Sequence, residues 1–148
     1  MMEIKADMIG KKGKLFTPDA KPNPAFYNTF QTDDFRCILK CIYLSDQVDH
    51  IILKEGECVV SFQIQLMNLT NEPLFVYVED FMLQCDRKED IYPLYESNDE
   101  QIVIEPNDSY EGKIGFIGKS QSKFITLKYQ EYMEDFEGKV YKLKYAIP

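Results

Sequence analysis

The chain has 148 residues, of which 45% are hydrophobic and 28% charged, and its formal net charge at pH 7 is −8. This composition is typical of one globular domain that buries a core without metal ions or disulfides. The acidic balance argues against partners made of nucleic acid and against an anionic membrane surface, because both need a basic face. An acidic surface suits a basic partner or plain solvation, and plain solvation is the favoured interpretation.

Alternating hydrophobicity dominates the first half of the chain. Residues 1–30 contain three prolines and two glycines, which predicts an irregular arm or edge strand before a sandwich domain at 31–148. Residues 35–43 predict a half-buried strand whose inner side is formed by Phe35, Cys37, Leu39, Cys41 and Tyr43. The pattern is clearest around residues 58–67, where the apolar side is formed by Cys58, Val60, Phe62, Ile64 and Leu66.

The second half predicts further short strands separated by turns. Residues 68–73 form a turn, and Glu79 and Asp80 interrupt the strands on either side of them. Ile91–Tyr95 contains Pro93 and suits an edge strand, because proline cannot donate to a central ladder. The other predicted strands are 74–78, 81–85, 101–105, 112–117, 123–129 and 139–147. Eight or nine short strands without a long amphipathic helix predict an all-β, antiparallel β-sandwich.

Several of these segments follow one another in a recognisable order. The alternating strand ends in an Asn-containing turn over 63–73, and Phe81-Met82-Leu83 is followed by an aromatic residue, Tyr92 or Tyr95. A proline turn then leads into a Gly-containing strand over 105–116, and the last of these strands covers 124–129. Over a little more than half of the chain, this order resembles the immunoglobulin-like domain of unknown function that is common in bacterial lipoproteins and envelope proteins.

The resemblance implies an immunoglobulin-like sandwich and brings no catalytic residues. Members usually carry an export signal with a lipid-acceptor cysteine, so they are envelope proteins. In this chain the first ten residues mix acids with bases and lack an apolar run, and no stretch approaches the roughly 20 apolar residues of a membrane span. We therefore expect a cytoplasmic protein without membrane insertion.

The cysteines and the single histidine, His50, do not have the spacing of a zinc site. Cys58 and Cys85 would face one another if strands 58–66 and 77–85 formed a hairpin. Without an export signal, however, four thiols are the expectation. The acidic turns at 86–90 and 131–137 lack the spacing of a calcium loop. We therefore expect no metal and no cofactor.

Two patterns suggest catalysis or nucleotide binding only superficially. Gly118-Lys119-Ser120 matches the end of a phosphate loop, but Lys113 stands where that motif needs its first glycine. We expect a glycine-rich strand and a hairpin turn there. His50 is expected to be a loop residue, and adjacent acids are common in a chain with 25 of them. No catalytic residue is therefore assigned, and a carboxylate-based hydrolase is an alternative without specific support.

Aromatic residues are abundant, with ten Tyr and ten Phe. Most are expected in the core, but tyrosine also serves interfaces well. The segment between the last two strands mixes aromatics with acids, and its candidate protein-binding residues are Tyr132, Met133, Glu134, Asp135 and Phe136. An ordinary hairpin loop is the plainer alternative.

We expect a non-enzymatic sandwich that binds another protein, through loops at one end or an exposed sheet edge. The alternatives are a small-molecule or ion-binding domain and the hydrolase. An exposed aromatic patch favours protein binding, a concave pocket with convergent polar groups favours a ligand, and shifted carboxylates in a cleft favour an enzyme. The sequence predicts neither the partner's identity nor the oligomeric state.

Overall fold

A computed structural model describes residues 2–5, 28–45, 51–86, 89–94, 101–131 and 138–146, with the backbone alone at 2–5 and 146. These ranges contain ten strands: β1 Met2–Lys5, β2 Thr29–Gln31, β3 Phe35–Ser45, β4 Glu57–Asn68, β5 Leu74–Tyr77, β6 Phe81–Gln84, β7 Gln101–Ile104, β8 Ser109–Lys119, β9 Phe124–Gln130 and β10 Val140–Ala146. A 3-10 turn, Val78–Asp80, joins β5 to β6. All strand pairs are antiparallel, which confirms the predicted all-β, antiparallel sandwich.

The first layer is built around β4, which lies between β3 and β8. β2 pairs with the first half of β3, where Thr29 is opposite Ile38, and β1 pairs with the second half, where Met2 is opposite Leu44. Both ends of the predicted arm therefore lie along one edge of β3. Residues 6–27 lie outside the described ranges, so the boundary predicted at residue 30 stays a prediction.

The second layer contains the ladder β10–β9–β6 and the two-stranded ladder β5–β7. β5 and β6 are joined by the 3-10 turn alone, so one continuous chain segment contributes a strand to each of the two ladders. The core lies between the layers: Phe30 of β2 stacks on Tyr141 of β10 at 5.3 Å between ring centroids, and Phe35 of β3 meets Tyr129 of β9 edge-on at 5.2 Å. Among the described residues, no helix is long and apolar enough to cross a membrane.

Strand β4 has the predicted alternation, while β3 departs from it. All five predicted inner residues of β4 are buried in the core. In β3 the register shifts between Leu39 and Cys41, which is a β-bulge. A bulge adds one residue to a strand and so exchanges the inner and outer faces of the residues beyond it. Ile42, opposite Phe62, therefore joins the core, whereas Tyr43 turns outward.

The prediction of an edge strand at Ile91–Tyr95 is wrong for the residues that are described. Ile91 forms a single bridge with Leu83 of β6, and three residues later the Leu94 N–H donates to the Gly115 carbonyl of β8 at 2.8 Å. The segment thus passes from the edge of the second layer to the first, which leaves only its first residue in register with β6. Pro93 is buried in this crossing.

Asn68 organises the predicted turn after β4. Its buried amide nitrogen, Nδ2, donates to the carbonyls of Glu72 at 2.8 Å and Ile104 at 2.9 Å. Its Oδ1 accepts from the Thr70 N–H and the Thr70 hydroxyl, both at 2.8 Å. All the side-chain groups of this asparagine are used, and they connect the turn to the end of β7.

The four cysteines all lie in described residues, and none forms a disulfide. The hairpin that would bring Cys58 opposite Cys85 does not form, because β4 pairs with β3 and β8 while β6 belongs to the second layer. Gly118 lies between the layers instead: a Cβ added there would lie 3.0 Å from Val60 Cγ2 and 3.1 Å from Leu83 Cδ2. This glycine is the last but one residue of β8 and permits close packing, and Ser120 and Gln121 form the hairpin turn predicted in place of a phosphate loop.

Candidate functional site

The candidate residues predicted between β9 and β10, Tyr132, Met133, Glu134, Asp135 and Phe136, all lie outside the described residues. Their role in binding stays a prediction, and so does the expectation that His50, which is also outside, is a loop residue. The structure does describe the base of this segment, where Gln130 of β9 pairs with Val140 of β10.

Glu131 links β9 to β10 at that base through hydrogen bonds. Its N–H donates to the Lys139 carbonyl at 3.0 Å, and its carboxylate accepts from the Lys139 N–H at 3.3 Å and from the Tyr141 hydroxyl at 3.2 Å. Burial raises the pKa of Tyr141 to about 12, and the adjacent Glu131 carboxylate adds to the increase. The tyrosine is therefore a neutral donor at physiological pH. A Cβ at Gly138 would collide with the Glu131 backbone, so the absence of a side chain lets the two ends approach.

Tyr129 lies beneath this base in an aromatic cluster. Its ring centroid is 4.9 Å from that of Phe81, 5.2 Å from Phe35 and 5.8 Å from Phe30. Burial raises the pKa of the Tyr129 hydroxyl, and the carboxylates of Asp80 and Glu131 contribute further. Aromatic packing thus joins this end of β9 to β2, β3 and β6.

A second candidate surface is the outer face of β5 and β7. The side chains of these strands alternate, and the inner ones, Val76, Ile102 and Ile104, are buried in the core. On the outer face Phe75 is opposite Val103, with 54% and 50% of these side chains exposed. Tyr77 is 42% exposed, and its hydroxyl accepts a hydrogen bond from Gln101 Nε2 at 3.1 Å.

This outer face, which we call the β5–β7 face, is defined by Phe75, Tyr77, Gln101 and Val103. An antiparallel sheet normally places polar residues on the side that faces water. Phe75, Tyr77 and Val103 together expose about 300 Å² of largely apolar side chain, which is at the lower end of the largest patches found on monomeric proteins. The face is therefore an exposed aromatic patch of a few hundred Å².

A cleft of about 420 Å³ lies at the C-terminal end of β6. Its lining residues are Cys85, Asp86, Glu89, Ile91, Lys119, Gln121 and Ser122. The Asp86 carboxylate in this cleft already accepts hydrogen bonds from the backbone N–H groups of Lys123 and Phe124, at 2.8 to 3.0 Å. These donors hold the pKa of Asp86 below its usual range. Asp86 thus ties the loop after β6 to the start of β9.

Another acid of the predicted acidic turn is also engaged. Asp90 pairs with Lys128 Nζ at 3.1 Å and accepts from Gln84 Nε2 at 2.8 Å. Within the described ranges, no group of three or more histidine, cysteine or acidic side chains is placed to hold a metal ion.

One carboxylate has a strongly shifted pKa, but it does not line the cleft. Burial raises the pKa of Asp80 to about 6, with repulsion from Glu79 adding to the increase. Asp80 lies in the 3-10 turn, and its carboxylate helps to raise the pKa of the Tyr129 hydroxyl. The shifted acid and the concave surface are therefore in different places.

Sequence reasoning predicted strands at β5 and β7 but missed their outer face. The signal lies in Phe75, Tyr77 and Val103, which alternate with the buried Val76, Ile102 and Ile104. An apolar run of this kind predicts a strand that is covered on both sides. The sequence alone therefore does not indicate that one side of these strands is exposed.

No protein-family model matches the chain. No curated protein matches it either. Three solved bacterial structures are similar in fold. The first is the ycdA protein of Bacillus subtilis, a candidate lipoprotein, with a TM-score of 0.65 and 16% identity over 79% of this chain. The chain spans only 38% of that protein's length.

The second is the yjhA protein of Bacillus subtilis, with a TM-score of 0.56 and 12% identity over 68% of this chain and 77% of its own. The third is a conserved hypothetical protein of Bacillus anthracis, with a TM-score of 0.54 and 11% identity over 86% of this chain and 96% of its own. At these identities the likeness shows the fold alone: the chain shares its β-sandwich architecture with bacterial proteins, one of them a candidate lipoprotein.

Proposed function

We propose that the protein is a non-catalytic, immunoglobulin-like β-sandwich that binds another protein through the β5–β7 face. The observation that carries the proposal is the cross-strand pair of Phe75 and Val103, which is half exposed although the opposite side of the same two strands is buried in the core. Exposed apolar side chains grouped on one rigid sheet favour association, because a partner removes them from water.

The size of the face indicates what kind of complex to expect. Burying about 300 Å² of apolar surface supplies roughly 7 kcal/mol at 25 cal/mol per Å². Association itself costs a comparable amount, so the face alone supports a weak complex. A stable interface usually buries about 800 Å² on each partner. The β5–β7 face is thus suited to be the apolar centre of a larger contact or the whole of a transient one.

The alternative of a small-molecule or ion-binding domain has less support. The cleft beside Cys85 has a suitable volume, but the carboxylate of Asp86 is held by two backbone N–H groups. A ligand would have to compete with these bonds.

Site-specific photo-crosslinking tests the proposal. The photoreactive residue p-benzoylphenylalanine replaces Phe75 in one variant and Ile52 in a matched control, because Ile52 is 95% exposed and lies on the segment before β4. A third variant carries it at Tyr132 in the predicted tip. Each is produced in the cells from which the protein comes, and the adducts are identified by mass spectrometry.

The proposal predicts a defined adduct from position 75 that is absent from position 52 and is lost when Val103 is also replaced by Ser. An adduct from position 132 alone would move the binding surface to the tip between β9 and β10. No adduct above the control at position 75 would contradict binding through the β5–β7 face. The cytoplasmic location expected from the sequence is a separate prediction, and fractionation of the same cells tests it.

A further inference from the structure

Charge is distributed unevenly along the chain. Residues 55–112 contain 14 acidic residues and two basic ones, a formal net charge of −12. The rest of the chain contains 11 acidic and 15 basic residues, a net charge of +4. The acidic part includes both strands of the β5–β7 face and the residues on either side of them.

The β5–β7 face is bordered by acids at both ends. Glu72 precedes β5 and Glu105 follows β7, and the register that places Leu74 opposite Ile104 puts these two exposed acids at the same end. Glu79 is exposed just beyond Tyr77 at the other end. No lysine, arginine or histidine occurs at residues 55–86 or 89–112.

Basic side chains from neighbouring strands have other contacts. Lys113 of β8 lies over the Tyr43 ring at 4.2 Å, and Lys128 of β9 pairs with Asp90. In the part of the chain that the structure describes, no basic side chain forms an ion pair with Glu72, Glu79 or Glu105. All three acids are exposed, so a basic partner can reach them.

We propose that the occupant of the β5–β7 face is an extended segment of another protein in which basic residues flank alternating apolar ones. This rests on the proposed function and adds the chemistry of the partner. Apolar side chains of the segment pack on Phe75 and Val103, and lysines or arginines at its two ends face Glu79 at one end and Glu72 with Glu105 at the other. Glu79 is seven positions after Glu72 but lies in the 3-10 turn, so the two acids are closer than the roughly 23 Å of an extended chain, and about six residues of the partner cover the face.

The acidic border also decides against other occupants. Phosphate groups of a nucleic acid or of an anionic membrane would be repelled by it. A second copy of this chain has the same acids on the same face, so an isologous pair would place like charges together.

Fluorescence anisotropy with three labelled eight-residue peptides tests the inference. The first has two lysines at each end and alternating valine and threonine between them. The second has glutamates in place of the lysines, and the third has serines in place of the valines. The protein is used as wild type, as Phe75→Ser/Val103→Ser, as Glu72→Gln/Glu79→Gln/Glu105→Gln, and as the control Ile52→Ser, with circular dichroism confirming that each variant folds.

The lysine–valine peptide is expected to bind wild type and Ile52→Ser alike, at least tenfold more tightly than either of the other peptides. Loss of the apolar pair or of the three charges is expected to weaken binding about tenfold. Every protein except the charge variant should retain salt-dependent binding, because screening acts on the charges.

Equal binding of the lysine and glutamate peptides would overturn the inference about charge while leaving binding through the face intact. Binding that does not depend on Phe75 and Val103 would overturn the inference about the surface, and the crosslinking at position 75 would then decide the proposed function separately. Concentration-dependent dimerisation that Phe75→Ser/Val103→Ser abolishes would identify a second copy as the occupant and overturn the proposal.

Discussion

Replacing Asn68 tests how the turn between β4 and β5 is held. Its amide makes four hydrogen bonds, two donated to the carbonyls of Glu72 and Ile104 and two accepted from Thr70. A neutral hydrogen bond contributes about 1 kcal/mol to stability. Some of the exposed partners can bond to water instead, so we expect Asn68→Ala to lower the free energy of unfolding by about 3 kcal/mol.

Asn68→Asp separates the donor and acceptor roles of this amide. The carboxylate keeps an acceptor for Thr70 but directs a charged oxygen at the carbonyls of Glu72 and Ile104. At pH 7 the loss should be at least as large as for Asn68→Ala. Repulsion and burial should raise the folded-state pKa of the new acid. The folded state then binds the proton more tightly, so stability is regained as pH falls through that pKa and is fully present below the unfolded value of about 3.9.

Urea denaturation followed by tyrosine fluorescence measures these changes, since the chain has no tryptophan. The exposed neighbour Asn71 provides the control, and Asn71→Ala should stay within about 0.5 kcal/mol of wild type. A loss below 1 kcal/mol for Asn68→Ala would refute the reasoning. So would an Asn68→Asp variant whose stability relative to Asn68→Ala does not depend on pH.

Three further predictions concern the core and one half-buried acid. Gly118→Ala should lower stability by about 1 to 2 kcal/mol, because its Cβ would crowd Val60 and Leu83, and an unchanged midpoint in urea would contradict this. Asp80→Asn should be about 1 kcal/mol more stable than wild type at pH 8 and no more stable than wild type below pH 4. The reason is that the pKa of Asp80 in the folded state is about 6, so wild type loses stability as the pH rises from about 4 to 6. A difference that stays constant between pH 4 and 8 would rule this out. The Tyr145 hydroxyl is fully buried and has no hydrogen-bond partner among the described residues, so Tyr145→Phe should not destabilise the protein. If thermal denaturation shows that the variant loses more than about 1 kcal/mol of stability, the hydroxyl forms a hydrogen bond and the prediction is wrong.

The sequence was most informative where one face of a strand is buried and the other is polar. In β4 the alternation predicts every inner residue, because a shift of one position would expose the entire apolar set. The inner residues of β9 and β10, Ile125, Leu127, Tyr129, Tyr141, Leu143 and Tyr145, follow the same rule and are all buried.

Two errors came from backbone geometry that composition does not specify. The bulge at Leu39/Cys41 reverses the second half of β3, and both Cys41 and Ile42 are hydrophobic, so the residues do not reveal which of them turns inward. Ile91–Leu94 has the composition of a short strand, yet its course is set by the two layers that it connects. Such features depend on contacts that are distant in sequence.

The β5–β7 face was hidden for a related reason. Phe75 and Tyr77 alternate with apolar Val76 and Val78, so the run carries no contrast between its two sides. Exposure follows from the position of the β5–β7 ladder in the second layer, where only one side meets the core. The uneven distribution of charge, by contrast, is fully visible in the sequence once the strands are placed.

The central claim is that the β5–β7 face exists for binding and not for stability. Its most direct test is to measure, on the same preparation of Phe75→Ser/Val103→Ser, both the free energy of unfolding and the yield of crosslinked partner from a further photoreactive position, at Tyr77. We predict a loss of stability of about 1 kcal/mol, because the two half-buried side chains form one cross-strand contact, together with loss of the adduct. A variant that is destabilised by more than about 2 kcal/mol, or that retains the adduct in full, would contradict the claim.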